Sequence, residues 1–127
     1  MAKSFEDLWN TEVKKLAETC VDPFLMEIFR KGLDYVPSEE EAKQLEGLSE
    51  KYRDVQGMLV ICNVMKQIDT FIAKKRFAFA KLIIRNILSY LDSPRYLEEV
   101  FKGDMNSEEW KNRKALSEGF HKLFDAE

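Results

Sequence analysis

Few residues of this chain have the types and the spacing that chemistry requires. His121 is the only histidine, and it follows Glu118 by three positions, which would put both side chains on one face of a helix. A Glu-x-x-His pair is half of the ligand set found in di-iron helical proteins. The other half would need a second such pair and two further carboxylates, and only a second copy of the chain has another histidine. We therefore expect His121 to be solvated, with no metal and no other cofactor.

The two cysteines offer no clear nucleophile. Cys20 and Cys62 form no CxxC pair and stand among apolar residues at helical spacing, which indicates reduced thiols inside a core. No serine or cysteine signature accompanies the histidine, as nucleophilic catalysis would require. The sequence therefore favours a protein that is not an enzyme. Catalytic residues that are distant in sequence leave no local trace, so an enzyme stays the third hypothesis.

Charge gives the strongest chemical signal. The chain carries a formal charge of −3, yet the basic residues between positions 66 and 85 are opposed only by Asp69. The preceding stretch, residues 39–54, is acidic. Such a split can attract an anionic partner, although the alternative is that these side chains are simply solvated. The residues that we predict to contact the partner, as a single positive surface, are Lys74, Lys75, Arg76, Lys81 and Arg85.

Helices must position these residues, because apolar residues recur at spacings of three and four along nearly the whole chain. A chain of 127 residues with 45% hydrophobic content is long enough to form one core. We predict an all-α protein with a single domain over residues 1–127, either a helical bundle or an array of helical hairpins, with five to six helices. No apolar run approaches the ~20 residues of a membrane span, and the charged N-terminus does not match a signal peptide. We expect a cytoplasmic protein with no membrane contact.

Capping signals predict the first two helices. Ser4 can cap a helix whose apolar stripe begins at Phe5, and Asp22 followed by proline predicts the start of the next. That second helix should continue until Pro37, with Leu33 and Val36 on its apolar face.

The remaining helices follow from the same signals. Ser38 with Glu41 is a capping box, and it predicts a long helix that passes through Gly57 and turns near residue 75. A new stripe beyond the turn places Ala80 inside and Ala78 outside, with Leu82 and Ile83 widening the apolar face. Ser93 with Pro94 predicts a short helix, and Asn106 with Glu109 predicts the cap of the last one.

Residues 64–94 resemble a single tetratricopeptide-type helix-turn-helix unit. Phe77 stands where that family has an aromatic residue after the turn, Ala80 where it has a close-packed alanine, and Pro94 near its terminal proline. Ile68 and Ile87 occupy positions where the family prefers small residues. The resemblance implies an antiparallel helical hairpin, and the alternative is a helical bundle with a similar local hairpin.

These observations together predict a non-catalytic module that binds another protein, as an adaptor, a regulator or an assembly subunit. The partner is expected to be acidic where it meets the basic hairpin. The alternative is a nucleic-acid-binding accessory subunit that uses the basic hairpin, residues 74–85. A pI of 5.4 and the lack of aromatic residues interleaved with arginine or glycine argue against it. Homo-oligomerisation stays open.

Overall fold

The computed structural model describes residues 3–126, and within that range the chain is helical and contains no strand. The all-α prediction is therefore confirmed. The described range holds seven helical segments, more than the five to six expected. They are α1 (residues 5–19), α2 (Pro23–Arg30), α3 (Glu39–Lys51), α4 (Val55–Ala73), α5 (Phe77–Leu91), α6 (Tyr96–Val100) and α7 (Glu108–Phe124).

Four of these helices enclose the core. α4 packs against α1 and α5, and α7 packs against α1 and α5, so each of the four contacts two others. Their shared interior is lined by buried apolar side chains. Its fully buried residues include Trp9 from α1, Ile68 from α4, Ile84 from α5 and Phe120 from α7. None of the helices in the described residues combines the length and the hydropathy that a membrane span requires.

The predicted starts of α1 and α2 are confirmed. The Ser4 hydroxyl oxygen accepts the Asp7 backbone N–H at 3.2 Å. The Asp22 carboxylate accepts the N–H groups of Phe24 and Leu25, with Pro23 as the first residue of α2. Each cap satisfies backbone donors that the first helical turn leaves without an intrahelical partner.

The predicted extent of α2 is wrong. The helix ends at Arg30, and Gly32 follows with a φ of +100°, in the left-handed region where glycine carries no steric penalty. Leu33 and Val36 were predicted to extend the apolar face. They lie beyond this stop and are 91% and 82% exposed. This irregular stretch connects α2 to Ser38, which caps α3.

The long helix predicted from Ser38 through Gly57 is divided in two. Tyr52 is extended, with φ −124° and ψ 146°, and ends α3. Asp54 then caps α4 by accepting the Gly57 N–H at 2.9 Å. A Cβ on residue 57 would lie 2.0 Å from the Asp54 Oδ2 atom, so this glycine belongs to the cap and is not a tolerated mid-helix residue. This break is the source of the additional helix.

The predicted cap of α7 is shifted by one residue. Ser107, not Asn106, accepts the Trp110 N–H, at 3.2 Å. Glu109 does not close a capping box. Its carboxylate reaches across the fold and accepts the backbone N–H groups of Arg53 and Asp54, at 2.9 and 2.8 Å. Those donors lie at the break between α3 and α4, where the chain has no helical partner for them.

Candidate functional site

The hairpin of α4 and α5 turns where the sequence predicted, near residue 75. Lys75 adopts a φ of +57°, and its N–H donates to the Ile72 carbonyl while the Arg76 N–H donates to the Phe71 carbonyl. These two bonds form a Schellman motif, which closes the carboxyl end of α4. The turn places Lys74, Lys75 and Arg76 at the exposed tip of the hairpin.

α5 has two apolar faces. Its inner face is buried against α4 and α7, and Ala80 lies there with no exposed surface, whereas Ala78 is exposed, as predicted. Its other face, directed outward, also carries large apolar side chains. Phe79 and Leu82 are 48% and 52% exposed, and Tyr90 is exposed as well. The prediction that Leu82 belongs to the inner face is wrong.

α4 extends this outer face across the hairpin. The rings of Phe71 and Phe79 stack with their centroids 5.6 Å apart, which joins the two helices near the tip. Val60 precedes Phe71 by eleven residues and Tyr90 follows Phe79 by eleven, so about three helical turns return both to the same side. We call this surface the outer strip: Val60, Phe71, Phe79, Leu82, Ile83 and Tyr90.

Exposed apolar residues are concentrated on this hairpin. Eight large hydrophobic side chains of the described residues are exposed; five of them belong to α4 or α5, and four of these five belong to the outer strip. Scattered exposed apolar residues are ordinary, whereas a set grouped on one face is a candidate interaction surface. Leu82, Ile83 and Tyr90 follow Phe79 by three, four and eleven positions, so the sequence contains a second apolar stripe at helical spacing. Because its residues are interleaved with those of the inner stripe, periodicity alone did not separate the two.

The charge along the hairpin is positive. Within residues 55–91 the only acidic residue is Asp69. It lies on the opposite side of α4, where its carboxylate accepts the Trp9 indole N–H at 2.8 Å and pairs with Lys14 at 2.9 Å. The outer strip therefore has cations near its tip, while at its other end the Tyr90 hydroxyl lies 3.3 Å from the buried Asp54 carboxylate, which caps α4.

The predicted contact residues surround the tip on more than one side. The Arg76 guanidinium lies over the ring of Phe79, 5.8 Å from its centroid, and so borders the outer strip. Lys74 caps α4 and is exposed. Lys75 points instead toward α1, where its ammonium lies 3.3 Å from the Glu6 carboxylate.

The other two predicted residues face the carboxyl end of α7. The Lys81 ammonium donates to the Ala126 carbonyl at 2.5 Å, and the Arg85 guanidinium lies 5.6 Å from the centroid of the Phe124 ring. Lys81 follows Phe79 by two positions, about 200° around the helix. These two cations are therefore on the flank of α5 away from the outer strip.

A buried polar cluster was missed at the sequence level. Arg113 is 1% exposed and lies inside α7, where its guanidinium donates to the Cys20 carbonyl, the Asp54 carbonyl and the Tyr96 hydroxyl oxygen. The Tyr96 hydroxyl in turn donates to the Asp54 carboxylate. Burial raises the pKa of Tyr96, so the hydroxyl stays protonated. The polar groups of this cluster satisfy one another's hydrogen bonds, which suits a structural role.

His121 also takes part in a structural contact. Its Nε2 lies 2.7 Å from the Asp92 carboxylate, which accepts the Ser117 hydroxyl through its other oxygen. Burial raises the pKa of Asp92, but the hydrogen bonds from Ser117 and His121 outweigh it and leave that pKa below its ordinary value. The carboxylate bridges the two side chains, so the histidine is not placed to activate the serine. The contact joins the end of α5 to α7.

The remaining candidates for chemistry are the thiols and a metal. Cys20 and Cys62 are buried and free. Burial raises the pKa of both, to about 11 for Cys62, so at neutral pH neither thiol is ionised as a nucleophile must be. Among residues 3–126 no three histidine, cysteine or carboxylate side chains are grouped as metal ligands would be. The outer strip is therefore the best-supported candidate site.

Comparisons with protein-family models, curated proteins and solved structures find no significant match to this chain. The resemblance of residues 64–94 to a tetratricopeptide unit therefore stays a prediction.

Proposed function

We propose that this protein is a non-catalytic interaction module, an adaptor, regulator or assembly subunit, that binds an acidic segment of another protein on the outer strip. The observation that carries this proposal is the second apolar face of α5, half-exposed at Phe79 and Leu82 and bordered by Arg76. In this proposal α1, α4, α5 and α7 form a four-helix bundle whose role is to hold the hairpin rigid.

The shape of the outer strip favours an amphipathic helix as the bound segment. From Phe71 to Val60 the strip runs along eleven residues of α4, about 16 Å at the helical rise. That length matches three turns of a partner helix with apolar residues at i, i+4, i+7 and i+11. Two antiparallel helices also present ridges and grooves that a third helix can fill.

The charge of the hairpin favours an acidic partner. Lys74 and Arg76 stand at one end of the outer strip, and no carboxylate of α4 or α5 faces them. Exposed charges of this kind accelerate encounter with an oppositely charged partner more than they strengthen the final complex. Apolar contacts on the outer strip would supply most of the binding free energy, and the cations at the tip would raise the association rate constant.

The test begins with capture of partners from the native host by the wild-type protein and by two double variants. F79S/L82S removes apolar surface from the outer strip. The matched control, L33S/V36S, removes exposed apolar side chains from the connection between α2 and α3. We expect F79S/L82S alone to lose a partner that the wild type and the control retain. Retention by F79S/L82S would refute the outer strip as the site.

The captured partner is then examined for the predicted chemistry. Its binding segment, made as a synthetic peptide, should be acidic and helical when bound. K74E/R76E should slow its association about tenfold at low ionic strength, while K43E/K111E, with the same net charge, should not. Equal association rates for the two variants would show that Lys74 and Arg76 do not belong to the binding site. Capture of nucleic acid instead, with affinity falling steeply as salt rises, would replace the proposal by the alternative function.

A further inference from the structure

A cavity of about 330 Å³ lies between α1, α2 and α4, on the side of α4 away from α5. The eight-residue helix α2 packs on the core through the buried Leu25 and Met26 and the half-buried Phe29, and its residues form one side of the cavity. Its volume is at the lower end of the range for small-molecule pockets, so it suits a small ligand. The proposed partner-binding function does not use it.

The floor of the cavity is apolar and adaptable. Met26, Cys62 and Met65 are each less than 9% exposed, and the half-buried ring of Phe29 forms one wall. Burial raises the pKa of Cys62 to about 11, so the thiol contributes an uncharged, weakly polar surface. Methionine side chains are unbranched and flexible, and they adjust to apolar groups of irregular shape. The floor is suited to a flexible alkyl chain.

The mouth of the cavity carries one uncompensated positive charge. Asp69 is neutralised by Lys14, 2.9 Å away, and Glu18 is paired with Arg30 at 3.8 Å. Lys66 also lines the mouth, and it makes no ion pair with a carboxylate of the described residues. An anionic group that entered beside Lys66 would meet a cation and no unpaired carboxylate.

We propose that this cavity binds a small amphiphilic monoanion of the medium-chain fatty carboxylate class. The alkyl chain lies on Met26 and Met65, and the carboxylate lies at the mouth beside Lys66. The apolar floor favours an alkyl chain, and the cavity volume limits that chain to moderate length. The single uncompensated cation at the mouth favours a ligand with a single negative charge. This site is separate from the outer strip, so either proposal can fail without the other.

Methionine methyl groups report the site directly. The protein labelled with [methyl-13C]methionine is titrated with sodium decanoate, kept below the concentration at which it forms micelles. We expect saturable shifts of the Met26 and Met65 signals. Met58, buried elsewhere in the core, and Met105, exposed outside the cavity, should stay unchanged and serve as internal controls. Absence of saturable binding, or shifts without preference for Met26 and Met65, would overturn the proposal.

Variants test the role of the charge and the competing surface. K66E should weaken decanoate binding about three- to tenfold, because it reverses the one uncompensated cation, while K43E on exposed α3 should not. The neutral alcohol 1-decanol should bind the wild type more weakly than decanoate. F79S/L82S should bind decanoate as the wild type does. Loss of binding in F79S/L82S with no effect of K66E would assign decanoate to the outer strip and refute the cavity site.

Discussion

At the scale of single residues, two glycines in helical segments have opposite roles. Gly57 stands in the first turn of α4, and the Asp54 carboxylate that caps this turn occupies the space where a Cβ would be. Gly47 stands in α3, and apart from its chain neighbours and the backbone of its own helix no atom lies within 4 Å of its Cβ position. The first glycine is required by a close approach, and the second only lowers the stability of its helix.

We therefore predict opposite effects of the same substitution. Gly57→Ala should lower the free energy of unfolding by about 2 kcal/mol, because it displaces the cap. Gly47→Ala should raise that free energy by about 0.5–1 kcal/mol, because alanine loses less backbone entropy in a helix. Urea unfolding followed by circular dichroism measures both. If Gly57→Ala were as stabilising as Gly47→Ala, the cap described here would be wrong.

At the scale of elements, α3 depends on its cap because only one of its side chains, Leu48, is buried. The Glu41 carboxylate accepts the Ser38 N–H at 2.9 Å and the Tyr35 hydroxyl at 2.5 Å, and lies 3.4 Å from the Lys31 ammonium. The Ser38 N–H and then the Tyr35 hydroxyl lower the pKa of Glu41 to about 2. The ionised carboxylate thus organises both the loop before α3 and its first turn.

This lowered pKa makes the start of α3 sensitive to acid. A group whose pKa falls on folding adds stability above its unfolded pKa, here about 4.5, and loses it as the pH drops toward about 2. Glu41→Gln should therefore be less stable than the wild type at pH 7, and the difference should disappear across this window. Hydrogen exchange of α3 amides at several pH values measures it, with Glu46→Gln as the control on the same helix. A difference that persists at pH 2 would contradict the assignment.

At the scale of the whole molecule, Arg113 joins segments that are far apart in sequence. Through one guanidinium, α7 is connected to the end of α1 at Cys20, the start of α4 at Asp54 and α6 at Tyr96. Glu109, one turn earlier on α7, holds the same break through backbone N–H groups. The two side chains fix where the α4–α5 hairpin begins relative to α7, and hence where the outer strip points.

Removal of this guanidinium should affect the entire fold. Arg113→Met should lower the free energy of unfolding by about 3–5 kcal/mol, because it leaves buried carboxylate and carbonyl groups without their donor. Lys111→Met, on the exposed side of α7, should change it by less than about 0.5 kcal/mol. Urea unfolding of both variants provides the comparison. A loss below about 1 kcal/mol in Arg113→Met would show that this cluster does not organise the helices.

The sequence by itself determined the features that depend on neighbouring residues. Ser4, Asp22 and the pair of Ser38 with Glu41 cap helices as predicted, because a cap joins atoms only two or three residues apart. The turn near residue 75 and the burial of Ala80 also follow from local periodicity. The positions of the five cations along the chain predicted a single positive surface, whereas the side chains of Lys75 and Lys81 contact different neighbours, the Glu6 carboxylate and the Ala126 carbonyl.

Features that depend on contacts between distant segments were decided only by the tertiary structure. Glu109 has the spacing of a capping residue, yet it serves the distant backbone at Arg53 and Asp54, because those donors would otherwise be unpaired at a helix break. Leu33 was predicted to lie in the core and is exposed because α2 ends at Arg30, before reaching it. Leu82 was also predicted to lie in the core and is exposed, because burial depends on whether another helix lies against that face. A charged residue such as Arg113 is buried only where several remote segments bring acceptors to it, and no short stretch of sequence contains that information.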